Sequence, residues 1–352
     1  MATPEIQTTA ADLKAVAFQG LIREDVLSEL FNIDPIALPY QDMAGTESSS
    51  NPYKSWVTET LAPIDLTNAK SEDAVAGFDA DTGVEQRIGN HHQISGKLAD
   101  VTDRANYVDT IGYSNRMAHE LMNKQKELKR DMEAILLSNQ ASVEMKTTTT
   151  AAVGKTAGCA AMIADANSYN GTTGAFSNGI FAAVTPGAAT GLTETILRDN
   201  AEVCYSAGGN PTILMSTPSM IRKISEYLFT ASARVATFMN TAANKQGQYG
   251  HQGATAVGSV NVFTSDFATL ELVPNQQQQA YDNSGTPCVN VYLFDPRYWA
   301  VSYLQGIMAK PLARTGTFER KQLTVDYANM CLAPKSSGVL VGINPALALT
   351  AG

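Results

Sequence analysis

The stretch from residue 46 to 104 constrains the fold of this chain more than any other. It is polar and rich in turn formers, yet it carries two strand-like flanks, Tyr53–Leu61 and His91–Val101. Between them lies Ser71–Gly83, with acidic Glu72, Asp73, Asp79 and Asp81 and only Val75 and Phe78 as sizeable apolar groups. Strand formers around a turn-rich centre predict a long two-stranded hairpin with a broad tip. Each strand of about eight residues would reach roughly 27 Å. A two-stranded ribbon is not stable by itself in water. Its tip buries too little to offset an ordering entropy of about 1–2 kcal/mol per residue. The ribbon therefore has to be completed by another surface. The expectation is that residues 62–90 serve assembly rather than subunit folding, so that a Gly-Ser turn in place of 66–86 leaves the melt nearly unchanged and abolishes assembly.

Composition points the same way. Charged residues are 17% of the 352 and hydrophobic ones 44%, and the charged share lies below that of ordinary soluble domains. Much of the surface must be covered by small polar residues or by other subunits. The net charge of −9, with no basic run, argues against tight nucleic-acid binding but not against enclosing DNA. Cys159, Cys204, Cys288 and Cys331 are widely spaced and form no C-x-x-C pair. They read as unpaired thiols made in a reducing cytoplasm. The start, MATPEIQTTAADLK, does not read as a signal peptide, and no run of 18 apolar residues predicts a membrane span.

Around the ribbon the periodicity changes. Residues 11–32 repeat at helical steps interrupted by Gly20, and stop at Asn32-Ile-Asp-Pro35. Residues 105–138 predict one long helix with the apolar stripe Tyr107, Val108, Ile111, Met117, Leu121, Met122, Leu128, Met132, Ile135 and Leu136. Such a helix would be about 50 Å long and needs a sheet to lie on. Residues 147–191 read as loops with short elements. Leu192-Thr-Glu194 opens a helix through Cys204, Gly208–Pro211 ends it, Thr212–Met215 is a buried strand, and Thr217-Pro218 caps and starts a second helix. Strands fill 257–273, 288–304, Lys321–Leu332 and Gly338–Ile343. No period of 20–50 residues repeats.

A search for chemistry yields none. Asp79-Ala-Asp81-Thr-Gly83 starts like a calcium loop, but Gly83, Val84 and Asn90 stand where Asp or Asn, Gly and Glu are required. His91 and His92 would point to opposite faces of a strand, and His119 and His251 are isolated, so no zinc spacing exists. Gly96-Lys97 lacks the spacing and the Ser or Thr of a phosphate loop, and no G-x-S-x-G elbow occurs. Lys124, Lys126, Lys129 and Arg130 are interspersed with Glu127, Asp131 and Glu133, which favours a solvated helix face over a nucleic-acid contact. No catalytic, cofactor-binding or metal-binding residue is assigned, no cofactor is expected, and the chain is not expected to be an enzyme.

The order of parts is arm, long hairpin, long helix, α/β layering, then long returning strands. Within that order stand Ile33–Pro39, Trp56–Leu61, Gly89-Asn-His-His-Gln-Ile94 through Val101, Leu192–Glu194 with Gly208-Gly209, and Ala313-Arg-Thr-Gly316. In these features, over about residues 20–345, the chain resembles the major capsid (major head) proteins of tailed bacteriophages. The resemblance is to the α+β Hong Kong 97-type fold, in its elongated-head podovirus form. The stretch 159–191 is longer and richer in Gly and Ala than that pattern, and Ala328–Pro334 is less regular. The resemblance implies an N-terminal arm (1–45), an extended loop (46–104) and a peripheral domain (105–190) with a spine helix at 105–138. It further implies an axial domain (191–300) and return strands to the C-terminus (301–352). It also implies a structural shell subunit of the virion, forming hexamers and pentamers of an icosahedral or prolate head around double-stranded DNA without sequence-specific binding. Assembly would occur in the host bacterial cytoplasm, away from any membrane, with a separate scaffolding protein, a portal protein at one vertex and a decoration protein as partners. An encapsulin-like nanocompartment shell of the same fold is the alternative. A secreted β-rich adhesin or hydrolase is a third reading, disfavoured by the missing signal peptide and nucleophile motif.

Overall fold

The computed structural model describes residues 30–62, 64–66, 69, 71–72, 84–108, 113, 115–146, 152–173, 176–228 and 262–347. The helical reading of 11–32 (to residue 29), most of the tip Ser71–Gly83, the threonine run and His251 lie outside these residues.

A short helix α1 (Pro39–Met43) leads into strand β1 (Gly45–Ser48), then β2 (Tyr53–Thr60), β3 (Val84–His91) and β4 (Gln93–Thr102). Helices α2 (Asp103–Tyr107), α3 (Arg116–Leu136) and α4 (Cys159–Met162) follow. Five two-residue strands come next: β5 (Ser168–Tyr169), β6 (Gly171–Thr172), β7 (Phe176–Ser177), β8 (Ile180–Phe181) and β9 (Thr185–Pro186). Helix α5 (Glu194–Ser206), strand β10 (Ile213–Ser216) and helix α6 (Pro218–Leu228) precede β11 (Val262–Thr264), β12 (Thr269–Pro274), β13 (Tyr281–Asn283) and β14 (Thr286–Phe294). The long strands β15 (Trp299–Pro311) and β16 (Phe318–Cys331) and the shorter β17 (Gly338–Ile343) complete the described chain.

Two larger sheets organise the molecule. One has the order β1-β15-β16-β4; the other has seven strands, ordered β11-β12-β10-β14-β17-β5 with β13 on β14. Strand β14 shows why these residues make a two-sided sheet. Tyr292 and Phe294 enter a core with Leu128, Met132 and Leu136 of α3 and Leu323, Val325 and Tyr327 of β16. The alternate Val291 and Leu293 enter a second core with Leu197 and Ala201 of α5 and Met220 and Ile224 of α6. A strand buried on both faces reads as a continuous apolar run rather than an alternation. The helix starts read from sequence hold: α5 opens after Thr193, whose Oγ1 accepts from Ile196 N–H at 3.2 Å, and α6 begins at Pro218.

Three expectations need correction. The helix 105–138 is not continuous. After α2 the backbone at Val108 is extended (φ −77°, ψ 134°), and α3 begins only after Asn115, whose side chain accepts from Ala118 N–H at 2.9 Å. An asparagine that caps locally competes with helix continuation. The 21-residue α3 spans about 30 Å, and Tyr107, Val108 and Met122 of the expected stripe are exposed. The ribbon also uses a different second strand. β2 pairs antiparallel with β3, from Tyr53↔His91 to Thr60↔Val84. The expected flank His91–Val101 is largely β4, which pairs with β16 from Gln93↔Tyr327 to Thr102↔Phe318. Ala99 and Val101 of β4 are buried with Met117 of α3, which fixes β4 in the sheet. Finally, the segment 62–90 is not wholly outside the core, because Ile88 and Asn90 are buried.

Candidate assembly surface

Strands β2 and β3 form a sheet of two strands only. On and beside this ribbon Val57, Leu61, Ile64, Leu66 and Val84 are exposed, Leu66 at 94%. Among the described residues no third strand joins this ribbon, and apolar side chains left open along it mark a surface suited to a partner. The ribbon's root is held differently. Asn90 donates to Thr156 Oγ1 and to Asn329 O, each at 2.9 Å, and accepts from Ala157 N–H at 3.0 Å. Trp56 and the buried Ile88 sit against the first core. Gly89 is required there, because a Cβ would meet Tyr53 Cζ at 2.6 Å and Lys54 O at 2.7 Å.

The arm has the same division. Leu30, Phe31, Ile33 and Ile36 are exposed, Ile33 completely, whereas Tyr40 is fully buried. The Tyr40 hydroxyl donates to Asn329 Oδ1 at 2.6 Å and its ring lies 5.5 Å from Phe294 and 6.2 Å from Trp299. Thus one side chain plugs the arm into the core. At the far end of β15 and β16, Arg320 reaches Asp100 at 2.8 Å and stacks over Phe318 at 4.2 Å, and Arg314 pairs with Asp103.

The residues tested for chemistry are dispersed. Among the described residues no group of three or more His, Cys, Asp and Glu could hold a metal ion. The His91 ring lies 4.7 Å from that of Tyr53 at a tilt of 55°, while His92 is buried, with the Pro52 backbone and Asp326 near its ring. Burial lowers the basicity of both rings. Lys124 lies 2.9 Å from Glu127 and 3.7 Å from Glu120, and Arg130 donates to Gln277, so these two basic residues of α3 are engaged within the subunit. All four cysteines are free and buried. Burial raises the thiols of Cys159 to about 12 and Cys204 to about 11, and raises Cys288 and Cys331 as well. Thiols kept protonated in this way are poor nucleophiles.

Sequence reasoning missed Tyr40, Asn90, Glu133 and Asn329. The only sequence sign of Asn90 is the Gly-Asn pair inside a strand flank. That of Glu133 is a carboxylate beside the Met132–Leu136 apolar step.

An exposed ribbon, a plugged arm, a helix laid on a four-stranded sheet and a second, larger sheet together define a capsid shell subunit of the Hong Kong 97-like fold. The fold is shared with the capsid of the cyanophage P-SCSP1u, at a TM-score of 0.52 and 11% identity over 92% of this chain and 94% of that one. It is shared equally with the holo-SrpI encapsulin complex of Synechococcus elongatus PCC 7942, at 0.53 and 10% over 98% and 99%. Residues 5–344 match the SU10 major capsid protein family, and the chain belongs to that family. It is 26% identical over 322 residues to the major capsid protein of Escherichia phage Phieco32, covering 88% of this chain and 90% of that protein. The chain is therefore a phage major capsid protein and a component of the virion capsid. The encapsulin likeness is one of fold.

Proposed function

We propose that this subunit closes into an icosahedral or prolate head of hexamers and pentamers around double-stranded DNA, and that it performs no catalysis. The ribbon β2–β3 carries this reading, because it has open apolar side chains and no sheet of its own to lie on. Its partner is a neighbouring copy. The domain plan that supports this reading takes 1–45 as arm and 46–104 as extended loop. It takes 105–190 and 301–352 as the peripheral part and 191–300 as the axial part, to which β17 adds a strand. A scaffolding protein during assembly in the host cytoplasm and a portal protein at one vertex are the further partners of this reading. The acidic balance of −9 suits a container that does not adhere to its DNA. Sedimentation of material from the natural source tests the reading: a large, closed particle is expected, and a protein recovered only as monomer would refute it. A nanocompartment is favoured only by the shared fold; terminase and portal genes beside this one would decide for a phage head, a cargo-enzyme gene for the compartment.

A further inference from the structure

Glu133 is fully buried on α3, and among the described residues no cationic group pairs with it. Four donors satisfy it instead. Oε1 accepts from Tyr40 N–H at 2.7 Å and from the Asn275 side-chain amide at 2.8 Å. Oε2 accepts from Gln41 N–H and from the Gln41 side-chain amide, each at 3.1 Å. These donors come from two segments far apart in the chain: the arm, and the exit of β12 from the seven-stranded sheet. Asn275 is fixed to that sheet through its own N–H, which donates to Ser216 O at 2.8 Å. A second link runs parallel. Gln277 donates to Pro35 O at 3.1 Å and accepts from Arg130 Nε at 3.2 Å. One turn of α3 thus holds both the arm and the sheet exit. Burying a carboxylate without a cation is costly even when its oxygens are hydrogen-bonded. An apolar side chain would fill the site at lower cost, so stability alone does not account for the carboxylate. What it adds is direction: Oε1 holds the Tyr40 and Asn275 donors together, and Oε2 adds a second hold on the arm through Gln41.

We infer that Glu133 is the positioning residue of the arm: it fixes where Leu30–Leu38 leaves the subunit and so presents Phe31 and Ile33 to a second copy of this chain. The inference rests on the shell reading proposed above. Beyond the Pro35 link these side chains are open, Phe31 at 76% and Ile33 at 100%. Tyr40 and the Pro35 carbonyl are tied to α3 and the 275–278 segment, so the chain that carries Phe31 and Ile33 departs from a fixed point.

The test compares tagged wild-type, Glu133→Gln and Phe31→Ser/Ile33→Ser subunits in cells that build heads from untagged copies. The glutamine keeps the size but turns an NH2 toward two of the four donors. In purified Glu133→Gln subunit, the Tyr40 or the Gln41 amide, whichever then faces the new NH2, should exchange at least about tenfold faster while those of β14 and β16 stay protected. Both variants should enter heads at least about tenfold less than tagged wild type, the arm double variant with its Tyr40 and Gln41 amides still protected. Equal incorporation of either variant overturns the inference. So does a loss of protection that spreads to β14 and β16, which would make Glu133 a core residue and nothing more. Tagged wild type that fails to enter heads would instead refute the shell reading.

Discussion

At the scale of single residues, Tyr40 decides how much of the arm belongs to the fold. Its ring is fully buried between Phe294 and Trp299. Tyr40→Ala should therefore cost about 3–5 kcal/mol, as large-to-small changes of buried aromatics do, measured by urea unfolding. Tyr40→Phe keeps the packing but leaves Asn329 Oδ1 without this donor, and should cost about 1–3 kcal/mol. His92 makes a pH prediction. Burial lowers its folded-state pKa below the ordinary 6.5, so the unfolded chain binds the proton more readily. Its contribution to stability is present above 6.5 and is lost as pH falls through the folded value. Asp326, raised by burial beside it, acts with the opposite sign, in a window that opens at the ordinary aspartate value. Wild type should thus lose more stability than His92→Gln when urea midpoints are compared from pH 7 to pH 5. Equal slopes for the two proteins would show that His92 is not held neutral.

At the scale of elements, the ribbon separates into a core-bound root and a free shaft. Asn90→Ala removes two donated bonds and one accepted bond inside the core. It should lower subunit stability by about 2–3 kcal/mol, the cost of leaving buried partners unsatisfied. Replacing residues 61–84 with a short Gly-Ser turn keeps Ile88 and Asn90 in place. That change should leave the melting midpoint within about 1–2 °C, the size of an effect of roughly 1 kcal/mol on a chain this long, while no shells form. Failure of this variant to fold would place the shaft in the core. The sequence revealed that a ribbon exists here because Tyr53–Leu61 is rich in strand formers. It did not reveal its partner, because Glu85, Gln86 and Arg87 lie on the half of β3 that is exposed on both faces, where no alternation is imposed. The break before α3 was hidden for a related reason: a helical stripe continues through Tyr107 and Val108 although neither is buried. The α5–β10–α6 succession was legible because its start signals are local, Thr193 preceding α5 and Pro218 standing at the first position of α6. The clamp at Glu133 was not, since its arm partner is 93 residues away.

At the scale of the whole molecule, shell formation sets like-charged subunits against one another, each carrying −9. The described surface leaves sizeable apolar side chains open: Phe31 and Ile33 on the arm, and Val57, Leu61, Ile64 and Leu66 on and beside the ribbon. Several described ion pairs are already closed within one subunit, among them Lys97–Asp131 at 2.6 Å and Arg320–Asp100 at 2.8 Å. These charges are engaged before neighbours meet. Mutual repulsion between subunits is long-ranged in dilute salt and is screened within about 10 Å at 0.1 M, whereas burial of apolar surface is not weakened by salt. Many such modest contacts, repeated around a closed shell, act together. Empty shells should therefore become harder to dissociate as sodium chloride rises from about 0.05 to 0.5 M, a range over which the screening length shortens several-fold. Light scattering during urea titration would show the dissociation midpoint moving upward. A midpoint that moves downward instead would mean that ion pairs between copies, rather than the apolar arm and ribbon, hold the shell together.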